Sequence, residues 1–290
     1  QVENLRQRDI LATAIYTGMS RDQQRVALDN CQFGPYHFLY VSPERLESEA
    51  FRKRLTELPI CLIAVDEAHC ISQWGYDFRP SYLHIADIRE SLPEVPVLAL
   101  TATATPAVAD DIQERLHFRE KNVLKKSFRR ENLQYVVREV GGPSTSPLKG
   151  DFSVSTTGDG REEKIAQIVH ILSRVGGSAI VYVRNRKRAQ EVASLLVANR
   201  ISADFYHAGL STQERTRKQE QWKTGQTRVM VCTNAFGMGI DKPDVRVVLH
   251  HDLPDSLEAY YQEAGRAGRD GKTAYAVLLY HPADRAKAKR

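Results

Sequence analysis

The chain has 290 residues, 42% hydrophobic and 27% charged, enough for two domains that each bury a core. No apolar run is long enough to span a membrane, no secretory signal is read at its start, and none of the cysteines (Cys31, Cys61, Cys70, Cys232) stands in a CxxC pair, so a membrane protein, a disulfide scaffold and a zinc site are not expected. Residues 1–140 carry 18 Lys and Arg against 20 Asp and Glu, and residues 141–290 carry 23 against 16, so the second half is basic and suits nucleic acid, although the tail RAKAKR supplies four of those charges.

In chain order, HFLYVS (37–42), CLIAVDE (61–67) and VLALTAT (97–103) read as buried strands, with amphipathic stretches such as PERLESEAFRKRL (43–55) between them. The segment 141–162 is rich in Gly, Ser, Thr and Pro, has no period, and reads as a linker or insertion. A second series follows: SAIVYV (178–183), ADFYHA (203–208), RVMVCTN (228–234), VRVVLHH (245–251) and AYAVLLY (274–280). Apolar strands alternating with helical patterns predict an α/β protein with parallel sheets covered on both faces. The expected lobes are 1–140 and 163–282, with 283–290 opening a further region. Ligands of such sheets bind beyond the carboxyl ends of the strands, so a cleft between two lobes is the place expected for a ligand.

The strand ICLIAV (60–65) ends abruptly in Asp66-Glu67-Ala68-His69. Two adjacent carboxylates at the end of a buried strand are costly unless they meet a cation. Asp66 suits a hydrated Mg²⁺, which prefers oxygen ligands and keeps several waters, and Glu67 suits a general base that polarises a water. His69, three residues on, is placed to report the state of the site. The plain alternative is a solvated loop acid pair. The tract CISQWGYDFRPSY (70–82) follows at once and sets Trp74, Tyr76, Phe78 and Tyr82 about Arg79. Rings interleaved with an arginine suit single-stranded nucleic acid, bases stacking on rings and the guanidinium meeting phosphate. The competing reading is a loop whose rings dock into the core.

With DEAHCISQWGYDFRPSY as its most specific mark, the chain resembles the RecQ family of DNA helicases within helicase superfamily 2. The likeness runs on through YVSPERL (40–46, similar to motif Ib), LALTATAT (98–105, motif III), SFRRENLQY (127–135, the exit from the first lobe), FYHAGLST (205–212, motif IVa), VCTNAFGMGIDKPDVR (231–246, motif V) and YYQEAGRAGRDG (260–271, motif VI). The chain departs from the family pattern at Tyr76, where His is usual, at Glu131, where Pro is usual, and in SAIVYVRNR, which lacks the usual Cys and Ser. The resemblance implies two RecA-like lobes, ATP and Mg²⁺ as cofactors, and 3′→5′ translocation on single-stranded DNA in repair or recombination. It also implies coupling of hydrolysis to DNA movement through Gln73, Thr101 and Thr103. Implied partners are single strands, duplex/single-strand junctions, and a single-strand-binding protein or topoisomerase. The implied setting is cytoplasmic and nucleoid-associated in a bacterium, or nuclear in a eukaryote. A DEAD- or DEAH-type RNA helicase would use the same acids but leaves the tract 70–82 unexplained. A nucleic-acid-binding segment without turnover is the non-enzymatic alternative.

GRAGRDGKT (265–273) superficially suggests a phosphate loop, but five residues rather than four separate Gly265 and Gly271. The order also fails, because a helix (expected over 255–267) precedes it and a strand follows, whereas a phosphate loop leaves a strand and enters a helix. Arg266 and Arg269 instead read as reaching groups for the γ-phosphate, three apart so that one helical turn would aim both, with Gln262 one turn earlier as a relay. The competing reading is a surface turn with solvated arginines. No Gly-x-x-x-x-Gly-Lys-Ser/Thr stretch occurs anywhere in the 290 residues. The resemblance places residues 1–20 just after the loop, so the chain is expected to be an internal segment with an incomplete first lobe, inactive alone.

Ser42, Thr103, His207, Thr233 and Asn234 are the remaining candidates for the DNA backbone. Gly237 and Gly239 permit close backbone approach to DNA phosphate or nucleotide, and Asp241 is read as orienting a finger arginine, the alternative being a turn pair with Lys242. An isolated His such as His207 more often serves packing, and Trp222 reads as a core ring.

Overall fold

The computed structural model describes residues 1–75, 77–127, 129–141, 160–236 and 242–284. The chain divides into two compact units, Gln1–Lys126 and Ser127–Arg290. The first contains α1 (Val2–Arg6), β1 (Ala12–Ile15), α2 (Arg21–Phe33), β2 (Phe38–Val41), α3 (Glu49–Thr56), β3 (Ile63–Val65), α4 (His84–Ser91), β4 (Val97–Ala99) and α5 (Pro106–Arg115). Local chemistry sets several of these bounds. Ser20 and Gln23 form a reciprocal capping box at α2, and Thr105 caps α5 with Pro106 in the first turn. The amphipathic stretch 43–55 is not one helix. Pro43 opens a 3-10 turn over Pro43–Glu47, and the Ser48 hydroxyl then caps α3 by accepting from the Phe51 amide at 3.4 Å.

In this unit β1 pairs with β2 and β3 with β4, both parallel, as two separate two-stranded sheets. A core of Ile15, Leu28, Leu46, Val65, Ile71, Ile85 and Ile112 lies under the helices. The expectation that the three apolar runs are fully buried needs correction. Phe38, Leu62 and Leu98 are 48%, 49% and 45% exposed. Among the described residues each of these strands has a hydrogen-bonded neighbour on one side only, so it is an edge. Residues of β2 and β3 line a cavity of about 280 Å³ together with Leu46, Leu58 and Ile88.

The second unit contains β5 (Leu133–Glu139), α6 (Arg161–Arg174), β6 (Ser178–Tyr182), α7 (Arg186–Ala198), β7 (Ala203–Tyr206), α8 (Thr212–Lys223), β8 (Val229–Cys232), β9 (Val245–His250), α9 (Leu257–Ala264) and β10 (Ala274–Tyr280). Its strands form one parallel sheet in the order β5-β10-β9-β6-β8-β7. β6 and β8 are buried along their whole length, which is why they read as unbroken apolar runs. Trp222 is fully buried, donates its indole N–H to the Ala179 carbonyl at 3.2 Å and packs edge-on against Phe236, as a core ring should.

The units part at 126/127, ahead of the residue 140 read from sequence. Strand β5 accounts for the difference. It runs in register with β10 from Leu133 opposite Ala274 to Glu139 opposite Tyr280, so it closes the edge of the second sheet. The 142–159 stretch and the 285–290 tail lie outside the described residues.

One buried ion pair fastens α6 to the end of this unit. Lys164 is 2% exposed, and its ammonium donates to Asp284 Oδ2 at 2.6 Å and to the His251 carbonyl at 2.7 Å. Replacing Lys164 by Met leaves the Asp284 charge buried without its cation. We expect this to cost about 3–5 kcal/mol, read as a lower urea midpoint, with partial recovery when Asp284 is made apolar as well.

Candidate functional site

The acid pair sits where β3 ends. Asp66 and Glu67 are both exposed, and Glu67 adopts a left-handed backbone conformation, φ 49°, that non-glycine residues rarely occupy. Five contacts hold that strained turn. The Glu67 amide donates to Asp66 Oδ1 at 3.0 Å, and the Cys70 amide donates to the Glu67 carbonyl at 2.9 Å. The Ala68 amide donates to the Leu100 carbonyl at 2.9 Å, and the Leu100 amide to the Val65 carbonyl at 2.8 Å, locking the turn to the end of β4. Tyr82 Oη donates to the Asp66 carbonyl at 3.3 Å.

His69 is 2% exposed, and its Nδ1 lies 3.0 Å from Thr101 Oγ1 and 3.5 Å from Glu67 Oε2. Burial pushes its imidazole below the ordinary range, so the ring is neutral at pH 7. Thr101 Oγ1 also accepts from the Thr103 amide at 3.3 Å. The structure therefore brings Glu67, His69, Thr101 and Thr103 into one connected group. Ser42 follows β2 directly, half-buried, with its amide bonded to the Ile15 carbonyl at 3.0 Å. The unit's candidates thus sit at or just beyond the carboxyl ends of their strands, where ligands of parallel sheets bind. Solvent-facing carboxylate oxygens on Asp66 fit a hard, hydrated divalent cation.

The aromatic tract is organised differently from its sequence reading. Trp74 is 79% exposed and Gln73 is exposed, but Tyr82 turns inward at 8% exposure toward Asp66. Phe78 is half-buried, and Tyr76 lies outside the described residues. Arg79 is engaged within the loop by Asp77. Its guanidinium donates to Asp77 Oδ2 through Nε at 3.1 Å and Nη2 at 2.6 Å, an ion pair inside the loop. The Arg79 amide bonds the Cys70 carbonyl at 2.9 Å and closes the loop at its base. Gly75 is required there, because a Cβ would stand 2.6 Å from the His69 carbonyl oxygen. His69, Cys70 and Asp77 bring donor atoms within 4.8 Å of one another. Burial pushes the Cys70 thiol up to about 12 and Asp77 is engaged by Arg79, so the trio reads as an internal hydrogen-bonded cluster.

In the second unit, His207 follows β7, and Thr233 and Asn234 follow β8. Because Tyr206 pairs with Cys232, these ends are neighbours. His207 is only 6% exposed and its ring stacks on Phe205 at 5.6 Å, so it is placed as a packing residue rather than an open backbone contact. Thr233 is 8% exposed and Asn234 is exposed. Gly237, Gly239 and Asp241 lie outside the described residues.

GRAGRDGKT has a helix before it and a strand after it, so its surroundings are not those of a phosphate loop. The helix, however, stops at Ala264, earlier than the 267 expected, with Gly265 as its cap. Arg266 and Arg269 are therefore carried by a turn and not by one helical face. Gly268 has φ 63°, and a Cβ there would meet Asn132 Nδ2 at 2.7 Å and Ala274 Cβ at 2.8 Å. Arg130 Nη1 donates to the Gly265 carbonyl at 2.8 Å and Asn132 Nδ2 to the Gly268 carbonyl at 2.7 Å, which anchors the turn. Arg266 is half-buried beside the Tyr182 hydroxyl, Arg269 is exposed, and Gln262 is half-buried on α9.

One group escaped the sequence reading. The chain leaves β6 toward β7 on one side and β9 toward β10 on the other, so the topological switch of this sheet lies between β6 and β9. A cavity of about 140 Å³ opens there, lined by Arg161, Arg184, Arg188, His251, Asp252 and Asp284 among others. Burial alone would raise the Asp252 carboxyl, but His251, the Arg184 amide and Lys164 outweigh it and hold it well below the usual carboxylate range. The signal was the basic run RNRKR directly behind the apolar strand SAIVYV.

Comparison with known proteins follows the same division. Residues 1–112 match the DEAD/DEAH box helicase model and residues 163–271 the helicase conserved C-terminal domain. The chain is 41% identical over 285 residues to the ATP-dependent DNA helicase RecQ of Bacillus subtilis, covering 98% of this chain and 45% of that protein. It is 39% identical over 284 residues to the RecQ of Haemophilus influenzae, covering 98% and 43%. The chain thus spans less than half the length of these relatives. Among solved structures, the Mycobacterium smegmatis helicase Lhr bound to ssDNA and AMP-PNP superposes with a TM-score of 0.70 at 22% identity, over 98% of this chain and 37% of that one, a likeness of fold. No described helix is long and apolar enough to cross a membrane.

Proposed function

The chain belongs to the RecQ family of DEAD/DEAH box helicases, and on that premise we propose that it couples ATP hydrolysis to 3′→5′ movement along single-stranded DNA. The observation that carries this reading is the strained Glu67 turn, its carboxylate linked through His69 to Thr101. A hydrated Mg²⁺, when bound, neutralises phosphate charge, and Asp66 is the residue that would hold it. Glu67 accepts the proton of the attacking water. His69 and Thr101 carry the state of that carboxylate to Thr103 and the segment behind β4. Arg266 and Arg269 stabilise charge on the transferring γ-phosphate, with Gln262 and Asp241 orienting them and Gly239 allowing close backbone approach. Trp74 and Phe78 offer stacking surfaces for bases, and exposed Asn234 is assigned to the DNA backbone, with the more buried Ser42 and Thr233 as further candidates beside the same strand ends. Duplex unwinding in repair or recombination is the role this supports.

The test is ATPase stimulation by single-stranded DNA and RNA of equal length, in the protein that carries this chain. We expect DNA to raise kcat at least about tenfold more than RNA does. Stronger stimulation by RNA would move the assignment to the RNA helicase reading.

A further inference from the structure

We propose that Arg130, with Asn132 beside it, is a positioning residue for the turn that carries Arg266 and Arg269. This rests on the ATPase reading above and deepens it by naming what aims the two arginines. Helix α9 ends at Ala264, so the helical ladder does not fix the residues that follow. The Gly265 carbonyl belongs to the peptide that leads into Arg266, and the Gly268 carbonyl to the peptide that leads into Arg269. One guanidinium holds both. Arg130 Nη1 donates to the Gly265 oxygen at 2.8 Å, and Nη2 donates to the Gly268 oxygen. Asn132 Nδ2 donates to the same Gly268 oxygen at 2.7 Å and to the Lys272 oxygen at 2.9 Å. The Ala274 amide returns a bond to the Asn132 carbonyl at 2.9 Å, so the turn is tied to the entry of β5 at both of its ends.

The residue type suits this task. The last carbonyls of a helix lack partners within it, and its C-terminal end carries partial negative charge, so a cation is favoured there. Arginine offers a planar fork that bridges two oxygens in one fixed geometry, which a lysine ammonium does not. The entry to β9 holds the other side of the turn. The Gly268 amide donates to the Val245 carbonyl at 2.8 Å, the Asp270 amide donates to the Pro243 carbonyl at 3.1 Å, and Arg246 pairs with Asp270. Those bonds fix the middle and far end of the turn, and Arg130 adds the bond at the peptide before Arg266. Both Arg130 Nη groups are directed at main-chain oxygens, so this arginine acts through the turn. The aim of a guanidinium at a transferring phosphoryl group tolerates little error, since a displacement of about 1 Å can cost about 10²-fold in rate.

The experiment is Arg130→Ala in the protein that carries this chain, read by ATP hydrolysis with saturating single-stranded DNA. We expect kcat to fall about ten- to hundredfold, with KM for ATP within about twofold. Arg130→Lys keeps the charge without the fork and should recover only part of the rate. A double-mutant cycle with Arg269→Ala separates aiming from packing. If Arg130 acts through the turn, its removal costs less in the Arg269→Ala background than in the wild type. Equal fold losses in the two backgrounds overturn the proposal, and so does a normal kcat in Arg130→Ala. Should the alanine variant fail to fold, Arg130→Lys carries the test, and a wild-type kcat there overturns the proposal. A near-normal kcat in Arg269→Ala alone removes the finger reading and the clamp with it. A slow Arg269→Ala beside an unaffected Arg130→Ala removes only the role of Arg130.

Discussion

Glu67→Gln is expected to lower ATP hydrolysis by about 10³-fold while leaving ATP affinity within a fewfold range, because general-base catalysis contributes about 10²–10⁴ in rate. The amide keeps the shape of the side chain and loses only its basicity. The backbone bonds that hold the turn, from the Cys70 amide to the Glu67 carbonyl and from the Glu67 amide to Asp66 Oδ1, do not use the Glu67 carboxylate. The fold should therefore survive, and thermal unfolding checks that it does. Single-turnover hydrolysis together with equilibrium nucleotide binding separates chemistry from affinity. Retained turnover would remove Glu67 from its role and return the acid pair to a solvated loop.

Arg269→Ala should lower kcat by about 10³-fold or more, by analogy with arginine fingers that stabilise transferring phosphate. Arg269 is the cleaner target of the two. It is exposed on the turn after α9, so its truncation leaves the second unit's core intact. Arg266 is half-buried beside the Tyr182 hydroxyl, so Arg266→Ala mixes loss of chemistry with local repacking. Lysine at 269 keeps the charge and loses the planar fork, and recovery with Arg269→Lys should be small. An Arg269→Ala protein with near-normal kcat and a raised KM would instead assign this arginine to nucleotide binding.

Much of this protein is legible in one dimension because its chemistry is local. DEAH behind an apolar strand places two carboxylates at a strand end whatever the rest of the chain does. The order helix, glycine turn, strand is enough to separate GRAGRDGKT from a phosphate loop. Short apolar runs separated by amphipathic segments suffice for parallel α/β units, since strands covered by helices on both faces have to be apolar throughout. Even the capping of α2, α5 and α8 is written in Ser20, Thr105 and Ser211.

What the tertiary structure decided are the matters of partnership. Whether LQYVVRE belongs to the first or second unit depends on the edge it pairs with, and its register with β10 is a contact across more than a hundred residues of chain. Arg79 had several potential anionic partners, and only the folded loop shows Asp77 within reach. Helix α9 stops before Arg266 because Gly265 caps it and Arg130 and Asn132, from a distant strand entry, hold the turn beyond. The left-handed Glu67 and the inward Tyr82 are likewise products of packing: no local propensity places an acid at φ 49°, and the contacts that hold it come from β4, the 70–82 loop and the Asp66 carboxylate. Local pattern determined which groups carry the chemistry and where along each strand they stand. Long-range contacts, whose cost is chain entropy and whose gain is burial, determined how those groups are aimed.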